Sequence, residues 1–409
     1  MKKIFGVMLG ILTAIGGFVD IGDIVTNGVV GSRFGMSLSW VVVLGVGGIC
    51  VFAHMSGKVA AVSGRATFEI IRERLGPRMA VANLGASFLI NLLTVIAEIG
   101  GVAIALQLAS SVTYLAWVPV AAFGVWLVIW RVKFEILEDV TGLLGLAMIV
   151  FAVALFQLHP DWLMLGQQVL QRDALSSDGL ETYFYYGIAL FGAAMTPYEV
   201  FFFSSGAIEE GWKAADLNQS RLNVLVGFPL GGLLSFAIAG CAAVVLRPQS
   251  IEVSSLSQIA ISAAAGGGKI ALAVAIVGFV AATFGAALET TLSSGYTLAQ
   301  FLGWPWGKFR RPSQASRFHL TMIICLIVAI GILMTGVDPV AITEYSVVFS
   351  AIALPLTYLP ILIIANDPEY MGKYVNGRGM SVAGLAYLIV ILVVSVAAIP
   401  LMIITGGGQ

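Results

Sequence analysis

Three carboxylates interrupt otherwise apolar stretches, and they are the residues in this sequence best suited to chemistry. Asp20 and Asp23 close the run Gly16-Gly17-Phe18-Val19-Asp20-Ile21-Gly22-Asp23, and Glu199 follows Phe191-Gly192-Ala193-Ala194-Met195-Thr196-Pro197-Tyr198. Carboxylates are hard oxygen donors, and the cations they suit are hard ones. Glycine weakens a helix, while proline removes a hydrogen bond and clashes with the preceding turn. Both stretches therefore predict an interrupted helix that frees backbone carbonyls beside an acid. A merely kinked helix with a structural ion pair would need a base, and neither stretch contains Lys or Arg.

The elements that carry these residues are membrane spans. Of 409 residues 59% are hydrophobic and 11% charged, where a soluble domain carries roughly 25% charged. Apolar runs long enough to cross a bilayer, about 17–25 residues each, recur along the chain. They predict 11 spans, near 4–31, 36–57, 79–109, 112–130, 139–158, 182–210, 217–246, 268–298, 317–336, 340–366 and 380–404. The basic start, Lys2 and Lys3, resembles a signal peptide, but no convincing cleavage site follows and Asp20 and Asp23 interrupt the apolar run. With the N-terminus inside, the inner segments hold 17 of the 21 Lys and Arg, as cytoplasmic loops should. The expected protein is a multi-pass plasma-membrane protein with a cytoplasmic N-terminus and an extracellular C-terminus.

The two interrupted spans are the first and the sixth. A carboxylate at the bilayer centre costs several kcal/mol and usually marks an ion or substrate path. Freed backbone is tolerated at that depth where it lines a protein-enclosed cavity. Five-helix inverted repeats make spans one and six corresponding elements, with the substrate held where the breaks meet. The expected organisation is a single transmembrane domain over 1–404: a first repeat over 1–158, a second over 182–366, and an added helix 11 over 380–404.

Beyond the breaks, several stretches resemble the NRAMP family of divalent-metal transporters. They are Asp20-Ile-Gly-Asp23-Ile-Val-Thr, Phe52-Ala-His-Met-Ser-Gly-Lys-Val59 with Ser63-Gly-Arg65, Ala97-Glu98-Ile-Gly-Gly-Val-Ala-Ile-Ala-Leu106, Phe134-Glu135, Ala353-Leu-Pro355 and Met371-Gly-Lys-Tyr-Val-Asn376. The resemblance covers nearly the whole chain. It implies an all-α LeuT-type fold of 11 helices, with two inverted five-helix repeats and broken helices 1 and 6. The family carries D-P-G-N on its first helix and M-P-H on its sixth. Here the proline is Ile21, the asparagine Asp23, the methionine Thr196 and the histidine Tyr198, and Glu199 adds an acid. The third-helix acid pair reads Val95-x-x-Glu98, and Ser346 stands where a glutamine is usual. The pattern is similar to the NRAMP-related magnesium transporters.

These departures remove a soft thioether and add oxygen donors, which moves the expected cargo toward Mg²⁺ first and Mn²⁺ second. The expected metal site comprises Asp20, Asp23, Glu199, the Thr196 hydroxyl and the carbonyl near Ala193. Gly22, Pro197, Tyr198, Glu98 and Ser346 stand at its periphery or serve as a relay. The Met195 sulfur joins the site if the break falls one residue earlier than Pro197 suggests. Relatives importing Mn²⁺ or Fe²⁺ are generally proton-coupled through the sixth-helix histidine and third-helix acids. A tyrosine hydroxyl, with an ordinary pKa of about 10, and a valine cannot replace them at physiological pH. The expectation is uptake by alternating access without a proton, and Glu98 remains as a partial relay. Two other readings stand beside it: a proton-coupled Mn²⁺/Fe²⁺ importer, and an amino-acid or amine transporter on the same architecture. No enzyme is expected, since no zinc-protease, Ser-His or Ser-Lys pattern accompanies the breaks. No cofactor is expected, and the partners are the metal ion and the lipid bilayer, with no nucleic acid and no obligate protein partner.

The remaining polar residues carry weaker expectations. Glu289 reads as a residue snorkelling to the inner interface, and Glu344 as an outer residue attracting cations. His54, His159 and His319 read as interfacial or packing residues, and the three cysteines as small hydrophobes. Arg65 to Arg78 reads as a cytoplasmic amphipathic connection. Gly266-Gly-Gly268 reads as a loop, and six tryptophans near span ends fit aromatic belts.

Overall fold

The computed structural model describes residues 17–132, 136, 140, 143, 145–170, 179–308 and 310–408. The start of the first expected span, much of the start of the fifth, and the Phe134-Glu135 match lie outside the described residues. Within them the chain is helical: α1 (Ile21–Phe34), α2 (Ser39–Ser63), α3 (Thr67–Ser110), α4 (Tyr114–Arg131), α5 (Ile149–Gln157), α6 (Trp162–Leu170), α7 (Leu180–Ala194), α8 (Pro197–Glu209), α9 (Leu217–Val245), α10 (Leu256–Leu302), α11 (Ser316–Leu333), α12 (Pro339–Ala365), α13 (Pro368–Met371) and α14 (Arg378–Ile404). Among the described residues there is no strand.

Nine helical segments among the described residues are long and apolar enough to cross a membrane. They correspond to expected spans two to four and six to eleven, with α7 and α8 together forming the sixth. Leu146–Gln157 supplies the end of the fifth, and α6 turns away from it by 113°. The sequence reading left 159–181 without an element. α6 escaped it because nine residues are too few for a span, although its leading residues Trp162, Leu163 and Met164 stay exposed.

Two helices run past their expected spans. α3 contains the whole 79–109 span and most of the basic connection, with one non-helical residue, Gly76, at φ 76°. In α10 the Gly266–Gly268 stretch is a kink at Gly268, φ 65°, and not a loop. Only glycine adopts such a dihedral cheaply, so the sequence signal was real, but one such residue bends a helix without ending it. The basic connection has fixed partners as well as solvent: Arg65 pairs with Glu73 at 2.8 Å, Arg72 donates to the Phe301 carbonyl at 2.7 Å, and Arg74 pairs with Asp367.

Buried apolar side chains form two clusters. One gathers α1, α2, α7, α8, α9 and α12 with single faces of α3 and α10. The other joins the opposite faces of α3 and α10 to α4 and α11. The region Leu180–Glu209 is the hub: 94% of its most apolar window is buried, against 17% for Arg378–Ile404. Close approach there depends on Gly192, where a Cβ would lie 2.3 Å from the Val347 carbonyl oxygen on α12. Without strong hydrophobic drive between helices in lipid, such contacts set the packing.

Candidate functional site

Both expected breaks are present, and they touch each other. Gly17 and Phe18 are helical, Val19 and Asp20 are not, and α1 starts at Ile21. Asp20 is the N-cap residue: its Oδ1 accepts the Asp23 N–H at 2.8 Å. Such a cap satisfies one of the orphan donors of the first turn. Glu98 on α3 supplies another acceptor, its Oε1 taking the Ile21 N–H at 3.2 Å. In the sixth span α7 ends at Ala194, Met195 has φ −118° and ψ 50°, and α8 begins at Pro197. Pro197 has no N–H to offer the Ala193 carbonyl four residues back, and the Thr196 hydroxyl lies 3.5 Å from it instead. Tyr198 joins the two breaks. Its hydroxyl lies 3.0 Å from the Gly17 carbonyl and 3.4 Å from Asp20 Oδ2.

Around Asp20 the breaks enclose a cavity of about 10 Å³, at the lower limit for a single water. Asp20, Ile21, Gly22, Thr94, Ala97, Glu98, Thr196, Thr343, Ser346, Val347 and Ser350 line it. Every heteroatom these side chains contribute is oxygen. Asp20 is 2% exposed and Glu98 0%, so both acids are closed off from solvent in this conformation. Thr94 and Ser346 hydroxyls lie 3.5 Å apart across the α3–α12 wall. Glu98 Oε2 has no hydrogen-bond partner.

Of the expected residues, the structure gathers Asp20, Gly22, Thr196, Glu98 and Ser346 at this cavity, but Asp23, Ala193, Met195, Pro197, Tyr198 and Glu199 do not line it. Asp23 turns to α9, where the Ser235 hydroxyl lies 2.8 and 2.7 Å from its two oxygens, and Asn27 donates to it at 2.8 Å. The physical reason is the cap. Asp20 is extended and Asp23 helical, so the two do not share a helix face. Met195 is fully buried with its sulfur against Gly48 on α2, while its carbonyl accepts the Tyr358 hydroxyl at 3.1 Å. The break falls where Pro197 dictates, and the thioether stays outside.

Glu199 faces a partner that the sequence reading had assigned to the inner interface. Glu289 on α10 is 2% exposed, and its carboxylate meets that of Glu199 at Gly17. Both approach Gly17: a Cβ there would stand 2.6 and 2.8 Å from the Glu199 oxygens and 2.8 Å from Glu289 Oε2. The snorkelling expectation is therefore corrected, since Glu289 points into the protein at the depth of the breaks. Thr94, Thr343 and Ser350 were also missed; they are ordinary hydroxyls whose meaning depends on which face the helix turns inward. No cluster of three or more His, Cys, Asp or Glu among the described residues converges to chelate an ion in this conformation. The acids stand in pairs, Asp20 with Glu98 and Glu199 with Glu289. In each pair one member sits on a broken span and the other on α3 or α10.

Comparison with known proteins agrees with this architecture. Residues 10–400 match the family model for natural resistance-associated macrophage protein-like proteins. The chain belongs to the Nramp family. It is 26% identical over 388 residues to a protein named divalent metal cation transporter MntH from Pectobacterium carotovorum, covering 93% of this chain and 90% of the relative. The corresponding protein of Yersinia enterocolitica is also 26% identical, over 385 residues. A crystal structure of the Eremococcus coleocola manganese transporter superposes with a TM-score of 0.74 at 18% identity, covering 95% of this chain and 84% of that one. A nucleobase-cation-symport-1 family transporter in a closed conformation superposes at 0.61 with 14% identity, covering 96% and 91%. The fold is the LeuT type, as the sequence resemblance implied.

Proposed function

We propose that this Nramp-family protein carries a hard divalent cation across the membrane by alternating access, Mg²⁺ in preference to Mn²⁺, without a coupled proton. Divalent metal transport is the coarser part of that reading, and it is supported by the family and by relatives that bear that name over nine-tenths of their length. The cargo preference rests on one observation: oxygen is the sole heteroatom among the side chains that line the cavity at the helix breaks, while the Met195 sulfur packs against Gly48. Oxygen-only donors favour Mg²⁺ and Mn²⁺ over softer transition metals. Mg²⁺ gives up water reluctantly and is commonly held by one or two carboxylates with several waters retained. The Asp20–Glu98 pair, with the surrounding hydroxyls, offers that kind of shell once the cavity opens. In this reading Asp20 is the principal ligand, assisted by Thr196 and the freed Ala193 carbonyl. Glu98 and Ser346 lie on the opposite wall, and Gly22 lets α12 approach.

Uncoupled transport is supported by what replaces the titrating groups. Tyr198 uses its hydroxyl to join the two breaks, and Val95 is an apolar core residue. A membrane potential, inside negative, would supply about 4.6 kcal/mol per 100 mV to an entering dication. The inverted repeats over 1–158 and 182–366 would supply the two-fold relation for alternating access, and the basic split supports an N-terminus in the cytoplasm. The test is uptake into proteoliposomes holding an interior pH dye and an interior Mg²⁺ dye. The expected result is Mg²⁺ entry, competed by Mn²⁺ at similar concentration, with no change of interior pH. Mg²⁺-driven acidification would overturn the uncoupled mechanism, and Mn²⁺ entry unaffected by excess Mg²⁺ would overturn the cargo preference.

A further inference from the structure

Glu199 and Glu289 make an arrangement that the cavity at Asp20 does not use. They come from different helices, α8 and α10, and are 3% and 2% exposed. Each keeps one carboxyl oxygen, Oε2, with no hydrogen-bond partner. Among the described residues neither has a Lys, Arg or His within ion-pair distance. Uncompensated buried carboxylates cost several kcal/mol apiece, and a pair of them costs more through mutual repulsion. The protein nonetheless makes room for them. Gly17 is the residue against which both unpartnered oxygens stand, and any side chain there would fill that space. Its carbonyl accepts the Tyr198 hydroxyl, so the backbone at the gap is fixed by the same clasp that joins the two breaks.

We propose that Glu199 and Glu289 form a second cation site, distinct from the Asp20 cavity, which holds a hard divalent ion between two carboxylates beside Gly17. This rests on the reading of the chain as a divalent-metal carrier. Two carboxylates neutralise one dication, and waters complete its shell, which matches the preference of Mg²⁺ for few protein ligands. The pair also bridges the two groups of helices. Glu199 belongs to a broken span, while Glu289 lies beside Leu288 and Leu292 of the α3–α4–α10–α11 cluster. An ion held there links those groups, and moving one against the other releases it. The ion then has two stations along its path, each formed by one acid from a broken span and one from a continuous helix. Transient occupancy of successive weak sites lets an ion enter tightly enough to be selected and still leave.

The experiment counts bound Mn²⁺, a paramagnetic stand-in for the ion, by electron paramagnetic resonance on the purified full-length protein in lipid nanodiscs. Wild type, E289Q and D20N are compared at one pH, and the melting temperature of each variant confirms that it is folded. The expected stoichiometry is about two Mn²⁺ per chain in wild type and about one in each variant, with Mg²⁺ displacing both. An E289Q protein that still binds two ions overturns the proposal. So does a wild-type protein that binds one ion lost only in D20N, because the glutamate pair then shares a proton and holds no metal. Either outcome leaves the transport reading intact, since that reading is tested by uptake through Asp20. If E289Q does not fold, E199Q serves as the second variant with the same expected loss of one ion.

Discussion

The broken spans and the continuous helices facing them treat the same kind of residue differently. At the first break the two aspartates have hydrogen-bond work, whereas Glu199 at the second keeps an unpartnered oxygen. Asp20 caps α1 through the Asp23 N–H, and Asp23 is bound by Ser235 and Asn27. On α3 and α10, Glu98 and Glu289 hang from helical stretches well away from the Gly76 and Gly268 kinks, and each keeps an unpartnered oxygen. One side of the proposed ion path is thus interrupted helix, and the other is helix presenting acids. A carrier by alternating access needs that asymmetry, because the ion must bridge two bodies that later separate.

The largest effect is expected where the two sides come closest. Gly17→Ala would put a methyl group 2.6–2.8 Å from three carboxyl oxygens. Overpacking of this kind costs about 1–3 kcal/mol, and the glutamates must move apart to relieve it. Uptake should be abolished while the protein still folds; near-normal uptake in proteoliposomes would show that the Glu199–Glu289 gap is slack. Glu98→Ala comes next. It leaves the buried Ile21 N–H unpaired, a loss of about 1–3 kcal/mol, and removes one wall of the cavity. A clear drop in melting temperature together with weaker Mg²⁺ uptake is expected, and a drop in neither would mean that Glu98 does not brace α1.

These two residues also mark what could be read from sequence. The breaks were legible because glycine, proline and acids announce themselves within a few positions, and their place in spans one and six followed from counting. The LeuT-type fold followed from the same count and from the family motifs. Two of those motifs, around Lys58 and Asn376, meet in space where the Lys58 ammonium donates to Asn376 Oδ1. The pairing of Glu289 with Glu199 was not legible, since nothing near Glu289 in sequence reports what α8 turns toward it. The turning of Asp23 to Ser235 depended on helix phase. Once Asp20 is a cap, a spacing of three no longer means a shared face.

Smaller effects test the clasp and the rim. Tyr198→Phe keeps the ring and removes the hydroxyl that joins the Gly17 carbonyl and Asp20. A net loss of about 1 kcal/mol is expected, read as uptake slowed several-fold with Mg²⁺ still preferred. A change in proton coupling instead would assign the hydroxyl a different role. At the rim beyond α12, the Glu369 N–H and Arg74 hold the Asp367 carboxyl below the usual carboxylate range. Its contribution to stability is therefore present above the ordinary aspartate pKa, near 3.9, and is lost as pH falls through the lower folded value. Asp367→Asn should lower the melting temperature slightly at neutral pH and leave uptake unchanged. A large transport defect would show that the rim is part of the gate.

Asp20 is the point on which the whole account turns, being both the cap of α1 and the acid at the centre of the cavity. The direct measurement is Mg²⁺ uptake by Asp20→Ala protein reconstituted in liposomes under an inside-negative potential, with correct folding verified by its melting curve. Uptake is expected to fall to the level of protein-free liposomes. Uptake at the wild-type rate would contradict that role for Asp20, and would place the ion path elsewhere in the molecule.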